Sequence, residues 1–147
     1  MHEFELKSRA EFEAWVRDIP IMIANLQTMM PPEVFESLDF TPRSLITLVT
    51  WLLETYDSLD SLKDDPNWVK LTNGIAAYIG EIHVRELSWR WDIAFDDDFA
   101  FSLMPLVMDD TGDFRCTHSA VTSTVAFPHR KSVFGGEFYQ LLRDSGA

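Results

Sequence analysis

The spacing of apolar residues along this chain changes sharply at Trp89. Before it, apolar side chains recur every three or four residues; just after it, from Trp91 to Val107, they recur every second residue, and helical spacing returns near the end. A 3.6-residue period lines one face of a helix, and a period of two lines one face of a strand. A chain that runs through the first pattern and then the second predicts an α+β fold: three main N-terminal helices, a small antiparallel β-meander and a C-terminal helical segment.

The first helical stretch opens on Ser8 and Glu11, whose S-x-x-E spacing is that of a capping box. Phe12, Trp15, Val16, Ile19, Ile23, Leu26 and Met30 follow on one face. Pro20 lacks an amide donor and crowds the preceding turn, which predicts a kink or break. Met29-Met30-Pro31-Pro32 ends the stretch. Thr41-Pro42 reads as a cap followed by a first-turn proline. Leu45, Leu48, Val49, Leu52 and Tyr56 then form a second stripe. The segment DSLDSLKDD reads as a polar linker, and Asp65-Pro66 repeats the cap-plus-proline signal. A third helix carries Leu71, Ile75, Tyr78, Ile79 and Ile82 and runs to about Leu87. Gly74 and Gly80 lie inside it, each costing about 1 kcal/mol in helix propensity against alanine. Such a cost is tolerated where another element must come close.

Trp91, Ile93 and Phe95 alternate with polar or small residues in a first strand. Asp96-Asp97-Asp98 is a turn, and Phe99, Phe101, Leu103, Pro105 and Val107 alternate again as a second strand. Pro105 cannot donate to a ladder, so that strand is expected either at an edge or with its proline facing outward. Asp109 to Asp113 makes a second turn before a short strand from Phe114 to Thr117. Ala120 to Phe127 suits helix or strand, with helix from near Ser119 favoured. Pro128 to Lys131 is a basic loop, and Phe134, Phe138, Leu141 and Leu142 space as a terminal amphipathic helix. The expected core is Trp15, Ile19, Leu48, Leu52, Leu71, Ile75, Tyr78, Ile82, Trp91, Ile93 and Phe138, with the first two helices packed as a pair against the third.

With 147 residues and no composition shift, the chain reads as one domain. Its net charge is −12, from 12 basic and 24 acidic residues. Such a chain repels phosphate, so nucleic acid is not an expected partner. No apolar run approaches the roughly 20 residues that span a bilayer. The acidic start, MHEFELKSRAEFEAW, has no apolar signal core. Cys116 is the only cysteine, which excludes an internal disulfide and fits a reducing, cytoplasmic setting.

Catalytic and metal motifs are sparse. His83 and Glu86 stand three apart on the third helix, but no CxxC, HExxH or second HxxE supplies further metal ligands. Seven aspartates lie between Trp91 and Phe114, with no basic residue among them. They lack the alternating pattern of an EF-hand, and successive turns of a meander lie at opposite ends of it. Cys116 and His118 share a strand face but stand about 6.5 Å apart at the backbone, too far for a nucleophile and its base. No G-x-S-x-G or phosphate loop is present. No cofactor and no metal are expected. What remains is a strong surface charge with Trp89 and Trp91 beside it.

Two segments carry a resemblance: TPRSLITLVTWLLETY from Thr41 to Tyr56, and AAYIGEIHVRELSWRWDI from Ala76 to Ile93. A tryptophan-leucine-leucine helix followed by a YxGE helix and a tryptophan strand resembles a group of small bacterial proteins. Some of these are similar to immunity or accessory proteins of toxin systems. The glycine pair such proteins carry before the strand tryptophan is replaced here by Leu87-Ser88-Trp89-Arg90. The resemblance implies that Tyr78, Gly80 and Glu81 are structural, with Gly80 allowing close packing and Glu81 bonding a backbone amide or an arginine.

The expected function is a non-enzymatic protein-binding module, in its most specific form an immunity-type inhibitor that masks a basic toxin surface. Trp89, Trp91, Asp96, Asp97, Asp98, Asp109 and Asp110 are the expected partner-binding residues. Two alternatives stand beside it. One is a structural homo-oligomer using exposed residues such as Ile21 and Met22. The other is an enzyme using His83 with Glu81 or Glu86 as acid–base groups.

Overall fold

A computed structural model of the chain describes residues 2–127. The basic loop expected from Pro128, the expected terminal helix and the expected core position of Phe138 lie outside the described residues.

After a 3-10 turn at His2–Phe4, helix α1 spans Arg9–Arg17. Ser8 Oγ accepts from Glu11 N at 3.1 Å, satisfying one orphan amide of the first turn. The Glu11 carboxylate reaches back to the Lys7 amide, one residue beyond the expected capping box. The chain bends at Asp18, and helix α2 spans Ile19–Asn25 with Pro20 in its first turn. There the missing amide costs nothing, so proline produces the expected break and also starts the next helix. A short helix that the sequence reading missed, α3 (Pro32–Glu36), starts on the second of the two prolines.

Helix α4 spans Ser44–Thr55, later than the Thr41 cap predicted. Thr41 Oγ1 instead donates to Asp39 Oδ1 at 2.6 Å, and its carbonyl accepts from Ser44 N. The stripe itself is as read: Leu45, Leu48, Leu52 and Tyr56 are buried.

The supposed linker folds. Helix α5 occupies Leu59–Lys63, closed by a Ser58–Ser61 capping box. Leu62, with 0% exposure, decides this. Burying one leucine contributes about 1.5–3 kcal/mol, enough to carry a five-residue helix that propensity alone would not sustain.

Helix α6, Trp68–Leu87, is the axis of the fold. It starts three residues after the predicted Asp65 cap; Asp65 Oδ1 accepts instead from Asn67 N at 2.8 Å in a turn. α2 and helix α7 (Thr117–Ala126) make its most extensive contacts. The expected pairing of the first two helices against the third is therefore corrected. α2 packs on α6, while α4 approaches α3 and α7. Gly74 permits the α2 contact, because a Cβ there would stand 2.6 Å from Leu26 Cδ2 and 2.9 Å from the Met22 carbonyl.

The sheet is a three-stranded antiparallel meander, β1 (Arg90–Asp92), β2 (Leu106–Met108) and β3 (Phe114–Arg115), in the order β1-β2-β3. Trp91 pairs with Val107, and Val107 with Arg115. The strands are shorter than the alternation implied. Phe99 to Leu103 forms turns rather than strand, with Leu103 at φ +71. The alternation fails there because Phe99, Phe101 and Phe114 gather into one edge-to-face cluster, with centroids 5.2–6.2 Å apart. The strand expected at an edge is instead the central one, β2; Pro105 is tolerated because it directly precedes the strand, where its missing donor breaks no ladder bond.

Leu26, Leu48, Leu71, Ile75, Tyr78, Ile82 and Val121 form the main core. Phe4, Met104, Leu106 and Cys116 form a second cluster beneath Trp68 and the aromatic turn. Of the residues expected in the core, Trp15 and Trp91 are half-buried and the other described ones are buried.

Candidate functional site

The residues singled out for binding fall into three environments. Trp91 is committed inside the fold. Its ring lies over Gly80 of α6, where a Cβ would stand 2.1 Å from Cζ2 and Cη2. Its Nε1–H donates to Glu81 Oε2 at 2.9 Å, and its ring meets Trp15 edge to face at 5.0 Å. Trp89 is half-buried, with His83 at 5.1 Å on its ring and the Arg115 guanidinium at 5.6 Å. Tyr78 is fully buried; its hydroxyl accepts from Phe40 N at 2.9 Å and hydrogen-bonds Ser44. That bond holds Phe40 at φ +63, with the Arg85 guanidinium 3.5 Å from the ring centroid. The YxGE segment thus meets two elements: Tyr78 the α3–α4 connection, Gly80 and Glu81 the first strand.

The two acidic turns sit at opposite ends of the sheet. Asp96, Asp97 and Asp98 are exposed in the β1–β2 connection. Asp96 Oδ1 accepts from Asp98 N at 3.2 Å, and no basic side chain pairs with any of the three among the described residues. Asp109 and Asp110 sit in the β2–β3 turn. Asp109 Oδ1 accepts from Thr111 Oγ1, Thr111 N and Asp113 N, and the Thr111 hydroxyl bond leads in holding its carboxyl below the usual range. Asp110 pairs with Arg90 at 3.1 Å. The first turn thus carries three carboxylates that pair with no basic side chain among the described residues, whereas Arg90 offsets one of the three in the second turn. Phe95 beside it is 39% exposed, with Arg9 5.8 Å from its ring centroid. Sequence reasoning missed Phe95, having placed it on an alternating strand. Its position directly before three aspartates was the available signal.

The acid–base alternative meets a different geometry. His83 is buried, and its Nδ1 lies 2.9 Å from the Ile79 carbonyl. Burial lowers its pKa to about 4, so it is neutral at pH 7. Glu81 receives Trp91, and Glu86 is exposed; no hydrogen bond joins either to His83 among the described residues. Cys116 and His118 do not sit on one strand, because α7 starts between them at Thr117. His118 turns Nε2 to Asn73 at 2.8 Å. A cavity of about 120 Å³ lies between the aromatic turn and α7, lined by Phe101, Phe114, Cys116 and Ser119. That is well below the roughly 300–1,000 Å³ of ligand pockets. Among the described residues no group of three or more His, Cys, Asp or Glu side chains is placed to hold a metal ion, and no helix is long and apolar enough to cross a membrane.

Comparison with protein-family models, with curated proteins and with solved structures finds no match to this chain.

Proposed function

We propose that the protein is a non-enzymatic binding module for a basic protein partner, in its sharpest form a cytoplasmic immunity-type inhibitor that covers a cationic toxin surface. The carrying observation is Phe95 standing exposed beside Asp96, Asp97 and Asp98, which pair with no basic side chain among the described residues. Charge of one sign accelerates encounter with a cationic surface, and an aromatic at its edge supplies area to desolvate. Phe95 takes the anchoring role because Trp91 is engaged with Gly80, Glu81 and Trp15.

The test is affinity capture from the native lysate with the wild type and with a variant carrying Asp96→Asn, Asp97→Asn, Asp98→Asn and Phe95→Ser. A basic protein retained at low salt, released at high salt and lost with the variant supports this reading. A partner held equally by both proteins removes the Phe95 turn from the interface, and retention of nothing by the wild type removes the function.

A second reading is a homo-oligomer formed through α2, favoured by Ile21, which is 61% exposed. Sedimentation of the wild type and of Ile21→Asp separates it: a dimer lost on substitution supports self-association.

A further inference from the structure

Three elements meet on one oxygen. Asn73 Oδ1, on α6, receives Trp15 Nε1–H of α1 at 3.3 Å and His118 Nε2 of α7 at 2.8 Å. That oxygen only accepts, so the His118 proton sits on Nε2 and Nδ1 is the bare acceptor. The imidazole is 0% exposed and packs against the Phe4 ring at 4.8 Å and the Trp15 ring at 5.6 Å. Among the described residues Nδ1 has no hydrogen-bond partner, and neither has the buried Oγ1 of the adjacent Thr117.

We propose that His118 is an acid-sensitive latch that holds the N-terminal segment, from the first turn through α1, on the α6–α7 core. Beyond the His118 contacts, the segment is anchored by Phe4 in the second core cluster and by the Trp15–Trp91 ring contact. Phe12 is the only buried residue of α1, and Leu6 N donates to the Leu103 carbonyl at 2.7 Å. Arg9 and Asp92 pair at the surface at 3.4 Å, a contact worth little in water. A proton on Nδ1 would place a cation beneath Phe4 and Trp15 with no acceptor for the new N–H. Lifting the segment returns the ring to water, where the proton is welcome.

The charged groups on the packed elements do not offset this. Glu3 of the turn, Arg9, Glu11, Glu13 and Arg17 of α1, and Lys70, Arg85 and Glu86 of α6 are exposed. Glu5 is half-buried, Glu81 receives Trp91, and His83 binds the Ile79 carbonyl. None hydrogen-bonds or pairs with the His118 ring among the described residues. Burial alone lowers its pKa, to about 3. An exposed histidine titrates near 6.5, so linkage raises the opening equilibrium about 25-fold between pH 7 and pH 5.

Hydrogen exchange of the full chain at pH 7 and pH 5, corrected for intrinsic rates, tests the latch. At pH 5 the amides of α1 should lose protection about 25-fold while those of α6 keep more of theirs. His118→Gln, which retains a donor and does not titrate, should abolish the pH dependence in α1. Asn73→Asp should also suppress it, by placing a carboxylate against the protonated ring, and it decides the matter should the first variant fold poorly. His83→Gln should leave it in place. Equal loss across α1 and α6 in the wild type overturns the latch, as does an α1 response that survives both His118→Gln and Asn73→Asp.

Discussion

The indole of Trp91 fills the space that any side chain at Gly80 would need, since a Cβ there would stand 2.1 Å from two of its ring carbons. The far end of a side chain can swing away when it is loose. This one is held by Glu81 and by the Trp15 ring, so it has nowhere to go.

Gly80→Ala is therefore expected to destabilise. Alanine gains about 1 kcal/mol in helix propensity, against about 1–3 kcal/mol for overpacking, and a 2.1 Å approach to a fixed ring belongs at the upper end of that range. Thermal melts check it: a lower Tm is expected, and a raised one would mean that Trp91 moves freely.

At Glu81 the expected ranking is alanine worse than glutamine. Glutamine keeps a carbonyl oxygen for Trp91 Nε1–H, whereas alanine leaves a part-buried donor unpaired at about 1–3 kcal/mol. Urea midpoints of the two variants separate acceptor loss from charge loss.

Ser88 ends α6 at φ 59, a left-handed position where a Cβ is strained. Trp89 N donates to the His83 carbonyl across it at 3.3 Å. Ser88→Gly should raise stability by about 0.5–1 kcal/mol, read as a higher denaturant midpoint at unchanged slope.

Acid should act in two windows. His83 and His118 have folded-state pKa values lowered by burial to about 4 and about 3. Their neutral forms stabilise the fold fully above about pH 6.5, and that stability is lost as pH falls from there towards those values. Asp39, Asp65 and Asp109 are lowered by hydrogen bonds, led by Thr41, Tyr56 and Thr111 respectively. Their contribution is present above about pH 3.8 and is lost only below it. Unfolding free energy measured from pH 7 to pH 3 should fall first through the histidine window. A curve flat to pH 4 would contradict the burial of both rings.

Replacing Asp96, Asp97 and Asp98 with asparagine should leave Tm within about a degree of wild type, because among the described residues no other element bonds these side chains. A large drop would make the turn part of the fold's own support.

How much was legible follows from how local each signal is. The α4 stripe from Leu45 to Tyr56 and the α6 stripe from Leu71 to Ile82 repeat over several turns, and both helices carry those faces buried. The end of α6 at Leu87 was readable because the period changes there. Short elements were not readable. Nothing in DSLDSLKDD distinguishes Leu62 from Leu59, yet one is fully buried and the other only partly. The binding turn was partly readable: three consecutive aspartates announce charge, but not which aromatic stands outside.

By itself, then, the sequence determined the order of helices and meander, the apolar face of each long helix and the sign of the surface, because periodicity and charge are written residue by residue. Tertiary structure decided that Trp91 seats on Gly80, that Phe95 faces solvent instead, and that Asn73, Trp15 and His118 share one oxygen. Those outcomes depend on which distant side chains compete for the same volume and the same lone pairs. That competition exists only once α1, α6, α7 and the sheet are packed together.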